Sequence, residues 1–90
     1  MRIHVVVSGR VQGVGFRWFV LKTALELDLA GWVRNRSDGS VEVAADGEDE
    51  RVRRFRGRLR EGPPQAMVVS VDDVGSTGAR ELQRPFQIAE

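Results

Sequence analysis

Three glycines and two arginines crowd the stretch SGRVQGVGFRWF, Ser8 to Phe19, between a valine-rich segment and an amphipathic one. A loop leading from a strand into a helix gathers free backbone N–H groups at the positive end of the helix dipole, which makes an anion site. Gly13 and Gly15 let the backbone turn so that several of these N–H groups point inward together. A phosphoryl group fits such a cradle. A nucleotide is not the obvious ligand, because the stretch has neither the Gly-Lys-Ser/Thr ending of a Walker loop nor the G-x-G-x-x-G spacing of a dinucleotide fold.

Arg17 carries the most information. A cation in the first turn of a helix opposes the dipole and costs about 0.3–1 kcal/mol where exposed, so stability alone favours Asp or Glu there. A bound phosphate reverses the sign, because a guanidinium donates two parallel charge-assisted hydrogen bonds to phosphoryl oxygens. The plainer alternative is a surface salt bridge from Arg17 to a neighbouring carboxylate.

The elements that must position this loop follow from periodicity. RIHVVVS places Ile3, Val5 and Val7 on one face at period two, as a half-buried strand requires. From Phe16 the period changes. Phe16, Phe19, Val20, Thr23, Ala24 and Leu27 share one face of a helix expected to end near Ala30 and Gly31. WVRNR, SDG and SVEVAAD then predict two antiparallel strands joined by a tight turn at Asp38 and Gly39, with Val41, Val43 and Ala45 facing inward.

Asp46 is expected to cap the next helix, with Glu48, Asp49 and Glu50 at its positive end and Val52, Phe55 and Leu59 as its core stripe. Pro63 and Pro64 end that helix. A fourth strand follows in AMVVSVDDV, with Met67, Val69 and Val71 on one face, then an exposed loop GSTGARELQR and a short edge strand PFQIA. The resulting order is the α+β, ferredoxin-like two-layer sandwich: βαββαβ plus a short last strand, two helices on one face of an antiparallel sheet.

Ninety residues suffice for one domain, expected over 1–90, with one modest core. No cysteine is present, so neither disulfides nor thiol chemistry enter, which fits a reducing compartment. The apolar run Val5 to Val7 is far too short for a membrane span or a signal-peptide core. A cytosolic home is expected. Net charge is only +1, which argues against a dedicated nucleic-acid binder, although thirteen of the fourteen basic residues are arginine.

Two stretches carry a family resemblance. VSGRVQGVGFR, Val7 to Arg17, resembles the first signature of the acylphosphatase family, and GWVRNRSDGSVEVAADG, Gly31 to Gly47, resembles its second. The resemblance implies a metal-independent hydrolase, with no cofactor, that cleaves the carboxyl–phosphate bond of acyl phosphates to a carboxylate and inorganic phosphate. It implies that backbone N–H groups of Gln12, Gly13, Val14, Gly15 and Phe16 bind the phosphate, that Arg17 is the catalytic arginine, and that Asn35 positions the attacking water. Ser40 matches a hydroxyl position that helps hold the asparagine, and it is equally readable as a plain hairpin residue. Arg36, where many members carry a smaller residue, and Gly15, often bulkier in the family, bear on substrate preference and loop rigidity.

An amide is no base at neutral pH, so Asn35 can only orient. That is enough for a mixed anhydride, whose carboxylate leaving group has a pKa near about 4 and needs no proton. A loose phosphoryl-transfer transition state asks chiefly for donors around the equatorial oxygens and an aligned water. A phosphate monoester, with a far more basic leaving group, is expected to be a poor substrate.

Other features are expected to stand outside the chemistry. His4 lies on the opposite parity from Ile3, Val5 and Val7, with no recognisable partner, and reads as a solvent-side strand position. Asp72 with Asp73, and the cluster Asp46, Glu48, Asp49 and Glu50, are not expected to bind a metal. RVRRFRGRLR, Arg51 to Arg60, reads as a solvated helix face, and the strands RIHVVVS and SVEVAAD lack the aromatic residues on which RNA-recognition modules of this fold class stack bases. Trp32 either packs near the loop or sits partly exposed. Beside the hydrolase stand a phosphate-sensing binding module and an RNA-binding domain; the hydrolase is expected to act as a monomer on a small acyl phosphate, with phosphate as product and inhibitor and with no nucleic-acid or membrane partner.

Overall fold

The computed structural model describes residues 1–75 and 82–89. The chain forms β1 (Arg2–Arg10), α1 (Phe16–Glu26), β2 (Ala30–Asn35), β3 (Val41–Asp46), α2 (Asp49–Glu61), β4 (Met67–Asp73) and β5 (Gln87–Ile88). These strands build one five-stranded sheet in the order β4-β1-β3-β2-β5. The first four pair antiparallel as expected, and the short β5 joins β2 in parallel at the margin. This is the α+β ferredoxin-like arrangement.

The core lies between the sheet and the helices. Val5 and Val7 of β1, Val33 of β2, and Val41, Val43 and Ala45 of β3 meet Phe16, Val20 and Ala24 of α1 and Val52, Phe55 and Leu59 of α2. Each fully buried valine, leucine or phenylalanine among them contributes about 1.5–3 kcal/mol relative to exposure. The opposite sheet face is not left wholly to solvent, since Ala30, Ala44, Leu82 and the half-buried Trp32 form a second small cluster there. Central strand β3 is therefore buried on both faces.

Four local expectations change. Helix α1 ends at Glu26, short of Ala30. Asp28 takes a left-handed φ of 54°, while the Leu29 N–H donates to the Ala24 carbonyl at 3.0 Å and the Asp28 N–H to the Leu25 carbonyl at 3.2 Å. This is a Schellman ending with Asp in place of the usual glycine. Asp46 does not cap α2, because its ladder to Arg2 and Ala30 keeps it in β3, and Glu48 becomes the N-cap. The acidic first turn and basic last turn of α2 are as expected.

In β4 the expected shared face of Met67, Val69 and Val71 is broken. Val71 pairs with Val7 and is buried, whereas Met67 and Val69 are exposed and Val68 packs toward the core. The register shifts between Ser8 and Gly9, whose partners are Ser70 and Val68, so Val69 is an extra bulged residue that flips the parity. Finally, positions 76–81 of the expected exposed loop lie outside the described residues, and Leu82, counted with that loop, is buried.

Candidate active site

Where β1 runs out, Val11 and Phe16 sink into the core and Val14 packs partly against it, which pins the loop from below. Gly13 and Gly15 between them face outward with φ of 75° and 80°. A Cβ on either would meet nothing within 4 Å, so the backbone conformation, and not crowding, calls for glycine. Gly15 is the N-cap of α1 without any side-chain partner, and the first helical bond runs from the Phe19 N–H to the Gly15 carbonyl at 3.0 Å. Among the described residues, the N–H groups of Gln12 to Trp18 donate to no backbone carbonyl. The loop thus concentrates unsatisfied donors at a helix N-terminus.

Arg17 occupies the first turn of α1, half-buried, and that turn contains no acidic residue. Among the described residues no carboxylate forms an ion pair with it, in contrast to Arg34, Arg51, Arg53, Arg56, Arg58 and Arg84, each of which has one. The salt-bridge alternative for Arg17 finds no partner among those residues. Arg10 and Arg36, at the same end of the sheet, likewise form no ion pair among them.

Asn35 is the last residue of β2 and is exposed. It pairs with Val41, which pairs in turn with Val7 across β3 and β1. Residues paired in this way share a sheet face. Asn35 therefore stands on the helix-covered face, at the end where β1 passes into the glycine loop. The link between the two segments is a side chain. Gln12 Nε2 donates to the carbonyls of Arg36 and Ser40, both at 2.8 Å, and so ties the loop to the β2–β3 turn.

That turn is closed within itself. The Arg36 N–H donates to the Ser40 carbonyl at 2.9 Å and the Gly39 N–H to the Arg36 carbonyl at 3.2 Å. Asp38 Oδ1 accepts from the Ser40 N–H at 2.9 Å and from the Ser40 hydroxyl at 2.5 Å. These bonds, first that of the hydroxyl, hold the Asp38 carboxyl below its usual range, and the Arg36 charge adds to the effect. The buried Ser40 hydroxyl thus faces Asp38.

The structure brings Gln12, Asn35, Arg36 and Ser40 together with the N-terminus of α1, and it leaves other candidates elsewhere. His4 lies on the outer sheet face as expected, yet it is partnered. Its Nε2 and Glu42 Oε2 are 2.5 Å apart, and its ring meets Trp32 edge-on at 5.6 Å. Arg34 donates to Glu42 from the other side and lies over the Trp32 ring. Trp32 thus packs away from the loop. Among the described residues no three His, Cys, Asp or Glu side chains gather to hold a metal ion. The sequence does not reveal the part played by the Gln12 side chain, because the resemblance implies only its backbone N–H.

Comparison with known proteins matches the sequence and the fold to a family. The acylphosphatase family model matches residues 3–88. An acylphosphatase of Rhodopseudomonas palustris (strain BisB18) is 52% identical over 83 residues, covering 91% of this chain and 84% of that protein. The crystal structure of acylphosphatase from Bacillus subtilis superposes with a TM-score of 0.83 at 38% identity, over 99% of this chain and 98% of that one. The structure of an acylphosphatase from Coxiella burnetii gives 0.85 at 44% identity, over 98% and 90%. With the family model spanning nearly the whole chain and the fold shared along its length, this protein belongs to the acylphosphatase family of enzymes.

Proposed function

We propose that the protein hydrolyses the carboxyl–phosphate bond of acyl phosphates. The N–H groups of Gln12, Gly13, Val14, Gly15 and Phe16 and the guanidinium of Arg17 take the phosphoryl oxygens, and Asn35 holds a water in line behind phosphorus. Attack by that water forms one P–O bond as the P–O bond to the acyl group breaks. The electron pair leaves with the carboxylate, and the proton of the attacking water passes to the phosphate product or to solvent. No residue has to act as acid, because the leaving carboxylate is stable without a proton. Ser40 braces the β2–β3 turn through Asp38, and its hydroxyl is not bonded to Asn35.

One observation carries this reading: a half-buried arginine stands in an acid-free first helical turn beside unsatisfied N–H groups, with no ion-pair partner among the described residues. Stability disfavours that placement, and an anionic ligand rationalises it. The arginines of α2 speak less for RNA, because Arg51, Arg53, Arg56 and Arg58 form ion pairs with Asp28, Glu50, Asp73 and Glu61. Among the described residues, no helix is long and apolar enough to cross a membrane. The proposal includes one domain over 1–90, a cytosolic home, action as a monomer and inhibition by the phosphate product.

The test is hydrolysis of benzoyl phosphate with a chelator present, beside a phosphate-monoester control. Turnover confined to the acyl phosphate, competitively inhibited by phosphate and lost in Arg17→Ala and Asn35→Ala, is expected. Arg17→Ala should lose phosphate affinity with activity, whereas Asn35→Ala should keep most of that affinity. Retention of turnover in either variant would sink the assigned roles, and phosphate binding without turnover would identify a sensor.

A further inference from the structure

We infer that the side chain of Gln12 is a positioning residue, setting the distance between the phosphate-binding loop and the water-orienting Asn35; the inference rests on the hydrolase reading above. A carbonyl oxygen can only accept, so the two carbonyls facing this side chain fix its amide with the NH2 group toward them. Both of its hydrogens are used, one on Arg36 and one on Ser40, at 2.8 Å each. These two carbonyls are the ones that close the β2–β3 turn, since Ser40 also accepts from the Arg36 N–H and Arg36 from the Gly39 N–H. Gln12 therefore grips the turn as a unit, one residue beyond Asn35.

The need for such a grip follows from the two partners. The loop contains two glycines at positive φ, which lower its intrinsic stiffness. Asn35 is an exposed strand-end residue with no side-chain hydrogen bond among the described residues. A water held by one and a phosphorus held by the other must stay aligned, and about 1 Å of misplacement can cost on the order of 10²-fold in rate. Among the described residues, the two Gln12 bonds are the only hydrogen bonds that join residues 11–15 to residues 36–40. The apolar anchors Val11, Val14 and Phe16 hold the loop to the core.

Gln12→Met keeps the length and the backbone N–H of the nest and removes only the two donated bonds. We expect kcat for benzoyl phosphate to fall about 10-fold or more while the inhibition constant of phosphate changes less than about 3-fold. Because Gln12 acts through Asn35, adding Gln12→Met to Asn35→Ala should lower the residual kcat of that variant, read at high enzyme concentration, by less than about 2-fold further. Multiplying losses, or a phosphate affinity that falls in step with kcat, would overturn the inference. Gln12→Asn, which keeps the amide but shortens the reach, serves if the methionine variant does not fold and should show the same split.

A second readout does not depend on turnover. In amide NMR, inorganic phosphate should shift the N–H signals of Gln12 to Arg17 and also those of Arg36 and Ser40 in the unmodified protein, and only the first group in the Gln12 variant. A protein that binds phosphate but hydrolyses nothing would refute the hydrolase reading, with this pattern still deciding the linkage. Identical shifts at Arg36 and Ser40 in both proteins, or no phosphate binding at all, would refute the linkage.

Discussion

Gly9 of β1 lies so close to Met67 of β4 that a Cβ on the glycine would stand 2.2 Å from the Met67 carbonyl oxygen and 2.8 Å from the Val69 nitrogen. Its φ of 124° is also one that side-chain-bearing residues rarely adopt. Both the clash with backbone and the strain oppose any larger residue. Gly9→Ala is expected to destabilise the fold by about 2–4 kcal/mol, a range reached when a rigid, strained backbone site is disturbed. Urea unfolding checks this, and an unchanged midpoint would contradict it.

Arg17 should have opposite effects with and without ligand. Without phosphate, Arg17→Ala removes a cation from the positive end of α1 and should stabilise the protein by about 0.3–1 kcal/mol. With phosphate at about 100 times its dissociation constant, the unmodified protein should gain about 2.7 kcal/mol, and the variant little of it. Thermal melts of both proteins with and without phosphate read both signs.

Arg10, Arg17 and Arg36 share the end of the sheet that bears the loop, and none forms an ion pair among the described residues. Their common field should draw acyl phosphates to the loop. With a Debye length near 10 Å at about 0.1 M salt, that attraction is screened as salt rises. We expect kcat/KM for a neutral-chain acyl phosphate to fall between low and high sodium chloride at fixed pH, and Arg36→Gln to flatten the dependence. A flat profile for the unmodified enzyme would show that the field does not steer.

Glu42 links stability to pH on the outer sheet face. Burial pushes its carboxyl up, but hydrogen bonds with His4 and Arg34, and then their charges, outweigh burial and leave it below the usual glutamate value. A carboxylate lowered in the fold contributes stability above its unfolded pKa, near about 4.3, and loses it as pH falls through the lower folded value. Asp38 and Asp49 are lowered too, so the comparison must be with a variant. Glu42→Gln should lose less stability than the unmodified protein between about pH 5 and pH 3, measured as urea midpoints. Parallel acid limbs would remove Glu42 from the account.

Elements whose cause is local were legible in the sequence. Val5 and Val7, the stripe Val52, Phe55 and Leu59, and the Asp38–Gly39 turn follow from periodicity and turn chemistry, and each takes its expected place. Features created across the fold were not legible. The parity of β4 depends on Gly9 opposite it, the end of β3 on its ladder to β1 and β2, and the partner of His4 on a residue 38 positions away. The site divides in the same way. The glycines and Arg17 predict an anion cradle, Asn35 follows from the resemblance alone, and nothing in the letters around Gln12 tells where its amide goes.

The bulge at Val69 has one more effect. Among the described residues strand β4 is at a margin of the sheet, with Met67 and Val69 turned outward and 68% and 74% exposed. A straight apolar strand in that position would offer a template on which a second molecule could extend the ladder. The displaced register interrupts the even row of amides and carbonyls there and increases the local twist. The close approach that only a glycine permits at position 9 thus also works against pairing of this edge with a second strand.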